Sequence, residues 1–169
     1  MPESRATSVS IPPFQQGVGL IVWLLVTFAA AAAGTFATKV SVGGWYQQLT
    51  KPTWTPPDWV FGPVWTVLYI TMAVAVWLVW RQGGVASARW SLTLFVMQLA
   101  LNALWSVIFF GLQWPWLAVF EIIVLWVVLR MTLVAFWRRS RAAGVLLWPY
   151  LAWITFATIL NFQIARLNG

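Results

Sequence analysis

Polar and aromatic side chains recur at helical spacing inside stretches that are otherwise apolar. Trp65, Tyr69, Met72 and Val76 fall on one face of a helix; Gln98, Asn102 and Trp105 do the same, as do Trp153, Ala157 and Asn161. The chemistry open to these residue types is recognition. Indole and phenol rings offer flat apolar faces with one polar edge, carboxamides both donate and accept, and a small residue such as Ala157 leaves room. If the stripes converge, they line one pocket suited to a flat, mostly apolar ligand with a few polar edges. Taken singly, Gln98, Asn102 and Asn161 fit a plainer role equally well, hydrogen bonding between helices.

The inventory excludes much else. The chain has no His and no Cys, so the usual general base, the commonest metal ligand, thiolate sites and disulfides are all absent. There is no P-loop and no nucleophile–base pair. No metal site and no resident cofactor are expected. The one route to chemistry is through the rings themselves, with Trp65 and Trp153 as redox or photochemical participants. Glu121 is the sole carboxylate within an apolar run, and an acid in that setting is a functional candidate by default. Arg130 is its nearest basic neighbour in sequence, but nine residues on means ~13.5 Å along a helix and half a rotation around it. The two cannot pair. Arg130 reaches toward the interface by snorkelling, and Glu121, with no second titratable partner for a proton relay, reads as a protonated or interface-bonded residue that positions its helix.

The elements that must hold these side chains follow from composition. Of the 169 residues, 62% are hydrophobic and 8% charged, against the quarter or so typical of soluble domains. So few charges cannot cover a water-facing surface; the solvent is lipid. Five runs come close to the ~20 residues that span a bilayer as a helix. They lie at about Val18–Thr38, Trp59–Trp80, Trp90–Leu112, Trp114–Trp137 and Ala142–Ala165. The first lacks a clear cleavage site and reads as a retained helix. Pro63, Pro115 and Pro149 are expected in or near first turns, and Gly83, Gly84 and Gly111 in the connections. The expected fold is an all-α membrane protein, a single five-transmembrane-helix domain over residues 1–169, with a structured loop between helices 1 and 2.

The net charge of +7 points to membrane orientation, not to nucleic acid, because the arginines sit mainly at the ends of apolar runs. Arg5, Arg81, Arg89, Arg138, Arg139 and Arg141 all fall on one side of a five-helix zigzag, and Lys39, Lys51 and Arg166 on the other. This bias predicts a cytoplasmic N-terminus. The long connection, Lys39–Asp58, is too rich in Trp and Pro for disorder. It reads as a stiff lid over the pocket, with Trp54 contributing to the site. Trp23, Trp80, Trp90, Trp114, Trp116, Trp137 and Trp148 lie near predicted helix ends and read as an interfacial belt. Ala30, Gly34 and Thr38 form a row of small residues for close helix approach, within the protomer or across a dimer.

Three stretches, KPTWTPPDWVFGPVWTVLY (51–69), QLALNALWSVIFFG (98–111) and PYLAWITFATILN (149–161), resemble the TspO/MBR family, the translocator proteins or peripheral benzodiazepine receptors. The resemblance covers about Gly17 to Asn168. It implies a five-helix membrane protein, commonly a homodimer, with a ligand pocket beneath the first long loop. It also implies binding of porphyrins such as protoporphyrin IX and haem, of cholesterol, and of benzodiazepine- and isoquinoline-type ligands. By resemblance, the contact positions are Trp65, Tyr69, Asn102, Trp153, Ala157 and Asn161. A bacterial-type member in the cell membrane is implied, acting in tetrapyrrole regulation or transport, or in light- and oxygen-dependent porphyrin breakdown. The family's sterol element carries a Tyr where this chain has Phe162, which favours a porphyrin over a sterol. Only Met and Tyr remain as axial ligands for haem iron, so a tetrapyrrole should be held by ring face and edges, metal-free porphyrin about as well as haem.

Overall fold

The computed structural model describes residues 11–169, apart from the side chain of Val40; Arg5 lies outside that range. Its elements are α1 (Pro13–Val42), a short α2 (Trp45–Gln48), α3 (Asp58–Trp80), α4 (Gly84–Ser106) continuing through a π turn (Val107–Gly111), α5 (Pro115–Arg139) and α6 (Arg141–Asn168). Five helices are long and apolar enough to cross a membrane. They run alternately up and down, and the chain is an integral, multi-pass membrane protein. Large apolar side chains such as Phe14, Phe36 and Phe120 are 70% or more exposed, which only a lipid solvent tolerates on this scale.

The helices outrun their apolar segments. α1 begins at Pro13 and ends at Val42, and α4 begins at Gly84, because a helix satisfies its own backbone and has no reason to stop where side chains turn polar at the head-group level. Pro115 occupies a first turn, as expected, but Pro63 and Pro149 lie inside α3 and α6. At Pro149 the helix continues although that residue has no N–H to offer the carbonyl of Val145.

One end of the bundle carries the arginines: Arg81 at the end of α3, Arg138 and Arg139 in the last turn of α5, Arg141 opening α6. Packing here is tight. The α3–α4 turn uses Gly83 (φ 150°) and Gly84 (φ 71°), conformations that only glycine adopts without strain. Ser140 caps α6 by accepting from the Ala143 N–H at 3.3 Å. A Cβ on Gly144 would lie 2.5 Å from the Trp137 ring. Inward from this end, Phe95 and Phe136 stack at 5.9 Å between α4 and α5, within a core that includes Met72, Val76, Leu129 and Leu147. Trp90, Trp114, Trp116, Trp137 and Trp148 are exposed at helix ends, whereas Trp23 departs from the expected belt: it turns inward and meets Phe95 edge-on at 5.8 Å.

The opposite end, where the α1–α3 loop lies, is built differently. α1 is held there by α4 and the π turn. Gly34 approaches Ser106, whose Oγ would lie 3.1 Å from an added Cβ, and the Ser41 hydroxyl donates to the Phe110 carbonyl. The small-residue row is thus used within the chain. The loop packs on the end of α6: Thr50 N–H donates to Asn168 Oδ1 and Asn168 Nδ2 donates back to the Thr50 carbonyl, both at 2.9 Å.

Candidate functional site

α1, α3, α4, α5 and α6 line a partly open cavity of about 810 Å³ toward the loop end, within the range of small-molecule sites. Its lining takes in Trp65 and Tyr69 from α3, Asn102 and Trp105 from α4, and Trp153, Ala157 and Asn161 from α6. The three stripes therefore meet in one space.

The polar groups are arranged in pairs across helices. The Tyr69 hydroxyl donates to Asn102 Oδ1 at 2.6 Å. Trp105 Nε1 donates to Asn161 Oδ1 at 3.0 Å, and Asn161 Nδ2 donates to the Pro115 carbonyl at 3.2 Å. Such bonds between spans average ~0.6 kcal/mol each, so they fix geometry more than they add stability. The plain and the sharp readings of Asn102 and Asn161 hold together: each bonds another helix and each also faces the cavity. The aromatic frame mixes edge-to-face contacts, at Trp65–Trp153 and Phe61–Trp153, with tilted and stacked ones. Trp65 meets Trp153 at 6.4 Å and Tyr69 at 5.6 Å, Phe61 meets Trp153 at 5.8 Å, and Trp105 stacks on Phe109 at 5.2 Å. The Trp65 and Trp153 N–H groups make no hydrogen bond among the described residues and remain available as donors.

Two expected site residues lie elsewhere. Gln98 is fully buried below the cavity floor, with Nε2 at 3.9 Å from Met72 Sδ and Oε1 without a partner among the described residues. It shares a face with Asn102 but lies one turn deeper, ~6 Å along the axis, where the helices have already closed. Trp54 is half exposed and packs edge-on against Phe156 at 5.9 Å, which in turn contacts Trp153. The lid also differs from expectation. The cavity is closed on that side by Tyr46 of α2, backed by Phe109 and Phe110. The proline-stiffened stretch forms a second layer outside it, with Lys51 Nζ at 4.1 Å over the Tyr46 ring. Burial, and secondarily the charge of Asp58, raises the Tyr46 pKa above its ordinary value.

Sequence reasoning missed α1, whose Phe28, Ala31 and Thr35 form a whole wall, and the π turn that brings in Phe109 and Phe110. The alanine run 29–33 was the available signal for the first, since small side chains leave space. No spacing announces a π turn. Glu121 is buried on α5 but outside the lining, and its carboxyl finds no hydrogen-bond partner among the described residues. Arg130 is exposed and lies 5.7 Å over the Trp126 ring.

Comparison with known proteins accords with this architecture. The sequence profile of the TspO/MBR family matches residues 22–167. The chain belongs to the TspO/MBR family. Relatives of full length support this. The chain is 43% identical to the tryptophan-rich protein TspO of Archaeoglobus fulgidus, over 89% of this chain and 97% of the relative. It is 41% identical to a tryptophan-rich sensory protein of Cereibacter sphaeroides, over 86% and 91%. It is 37% identical to the human translocator protein, over 93% and 92%. Within this TspO/MBR chain, the stretches that carried the resemblance supply the α3, α4, π-turn and most of the α6 lining, and α1, Tyr46 and α5 complete the wall.

Proposed function

We propose that this TspO/MBR protein is a membrane receptor or translocator that binds a porphyrin, or a similar flat hydrophobic molecule, in the cavity between its helices. The observation that carries this reading is the meeting of Trp65, Tyr69, Asn102, Trp105, Trp153 and Asn161 around one space of about 810 Å³. Ring faces supply apolar area, and the Tyr69–Asn102 and Trp105–Asn161 pairs supply polar edges at fixed positions. Nothing in the sequence couples to ATP or an ion gradient, so any transport is facilitated or exchange-like. The unit is read as the whole chain, 1–169, a homodimer in a bacterial cell membrane with the N-terminus in the cytoplasm, on the arginine bias.

The guest is held by its ring. Met97 and Met131 are exposed on the outside of the bundle and Met72 is buried outside the cavity lining, which leaves Tyr46 and Tyr69 as the lining side chains able to ligate iron. Protoporphyrin IX is therefore expected to bind about as tightly as haem. Phe162, exposed and packed edge-on with Trp116 at 5.9 Å, offers no hydroxyl to a sterol. Titrating protoporphyrin IX against tryptophan fluorescence tests the reading: saturable quenching weakened by Trp153→Leu is expected, and quenching that never saturates, or that ignores the substitution, defeats it. A second reading, porphyrin breakdown under light and oxygen, is favoured by the two indoles, Trp65 and Trp153, that share the cavity. Illumination separates the two. Stoichiometric pigment loss that disappears in Trp65→Phe with binding retained favours chemistry, and stable pigment favours binding alone.

A further inference from the structure

We infer that the guest of this cavity passes in and out sideways, from the hydrocarbon of the bilayer, through a slot between the loop-end halves of α1 and α3. Its ligands are then molecules already dissolved in the membrane. The inference rests on the cavity being a binding site. A residue that both lines the cavity and is exposed stands at its mouth, and such residues occur in two facing rows: Ala32, Thr35 and Phe36 on α1, Gly62 and Thr66 on α3. Thr66 lies eight residues inside the start of α3 at Asp58, ~12 Å along the axis, which is hydrocarbon depth.

The slot exists because α1 changes partners along its length. At the arginine end it is locked to α3: Trp77 Nε1 donates to the Gln16 carbonyl at 2.8 Å, and a Cβ on Gly19 would lie 2.1 Å from the Trp80 ring. At the loop end it is locked to α4 and the π turn, through Gly34–Ser106 and Ser41–Phe110. Between these clamps α1 leaves α3. The Phe28–Tyr69 ring contact at 6.1 Å marks the fork. The other approach, past the loop, is obstructed by buried Tyr46 and the layer behind it.

The walls suit an apolar traveller. Thr35 and Thr66 each donate their hydroxyl to their own helix, to the Ala31 and Gly62 carbonyls at 2.8 and 2.9 Å. Their polar atoms are satisfied before anything arrives, and no desolvation cost opposes passage. At the rim, Lys39 and Asp58 also line the cavity, and Asp58 is engaged by Gln47 Nε2 at 2.9 Å. Lys39 is then the cation that a trailing carboxylate would meet at the head-group level. The class of ligand this describes is a bilayer-dissolved amphiphile with a flat apolar body and an acidic tail.

The native chain has no cysteine, so an introduced pair is the only thiol pair present. Thr35→Cys with Thr66→Cys, bridged by a bifunctional thiol reagent, spans the slot; Thr50→Cys with Asn168→Cys ties the loop to α6. Both are reconstituted in phosphatidylcholine nanodiscs and followed by stopped-flow quenching with protoporphyrin IX. Bridging the slot should slow association and dissociation together by about tenfold or more, while bridging the loop leaves both within about twofold. Gly62→Leu is a second arm. No atom lies within 4 Å of a Cβ there, so the variant should fold, and it should also slow both rates. Saturable binding whose rates respond to the loop bridge and not to the slot bridge or Gly62→Leu overturns the slot alone. Absence of saturable binding in the unbridged protein overturns the binding reading, and the slot with it.

Discussion

Gly144 and Gly62, at opposite ends of this bundle, serve opposite purposes. At the arginine end Gly144 lets α5 and α6 close together: an added Cβ would sit 2.5 Å from the Trp137 ring and 3.0 Å from the Trp137 Cα. At the loop end Gly62 faces open space, with nothing within 4 Å. One end is solid and sets the helix positions, and the other is hollow and spends that rigidity on holding walls apart. Stability should therefore be sensitive at the first end and binding at the second. The largest expected effect breaks the contrast at its solid end. Gly144→Leu gains about 0.8 kcal/mol of helix propensity but overpacks against backbone that cannot rotate away, at the upper end of about 1–3 kcal/mol or beyond. Thermal melts in detergent should show a clear loss, whereas Gly62→Leu melts at or above the parent temperature. Equal losses at both glycines would mean that the ends do not differ.

Asn161→Leu comes next and acts at the hollow end. It leaves Trp105 Nε1 without its acceptor and the Pro115 carbonyl without its donor. An orphaned buried group costs about 1–3 kcal/mol, moderated here because the denatured reference in a membrane also finds partners. A stability loss of about 1 kcal/mol is expected. Porphyrin affinity should fall more, about tenfold, because a fixed polar edge of the cavity is gone. Unchanged quenching titrations would remove Asn161 from the site.

The cavity-facing stripes of α3, α4 and α6 were legible because lipid leaves few choices. An apolar run must be helical, and helical spacing then puts Trp65 with Tyr69 and Trp153 with Ala157 and Asn161. What spacing cannot supply is depth. Gln98 shares the Asn102 face, yet the helices converge between the two, and convergence depends on where Gly19 and Gly34 let α1 approach its neighbours. Nor does spacing reveal which layer of a loop faces inward. Trp54 was the expected site residue of the loop, but α2 forms earlier in it, at Trp45–Gln48, and puts Tyr46 in the inner position. Trp54→Ala sharpens that point. It removes the Phe156 contact, an aromatic pair of about 0.5–1.5 kcal/mol beyond its buried area, so the melting temperature should drop modestly. Affinity should stay within about twofold, because one ring separates Trp54 from the cavity. A loss of affinity as large as that of Trp153→Leu would restore it to the lining.

The smallest effect is a dependence on pH at the boundary between loop and cavity. Tyr46 is held neutral by burial first and by the Asp58 charge second, and its pKa rises above the ordinary 10.0. Below pH 10 the folded and unfolded chains both carry the proton, and the group adds no slope. As pH rises past 10 the unfolded chain releases its proton before the folded one does, so the unfolded state binds fewer protons and folding stability falls. Melts between pH 8 and 11 should therefore decline more steeply in the parent than in Tyr46→Phe, where that linkage is absent. Asp58→Asn should give an intermediate slope, because it removes the lesser cause and keeps the greater. Parallel declines in parent and Tyr46→Phe would mean that α2 opens to water before the bundle unfolds, and that the roof over the cavity is the looser of its two layers.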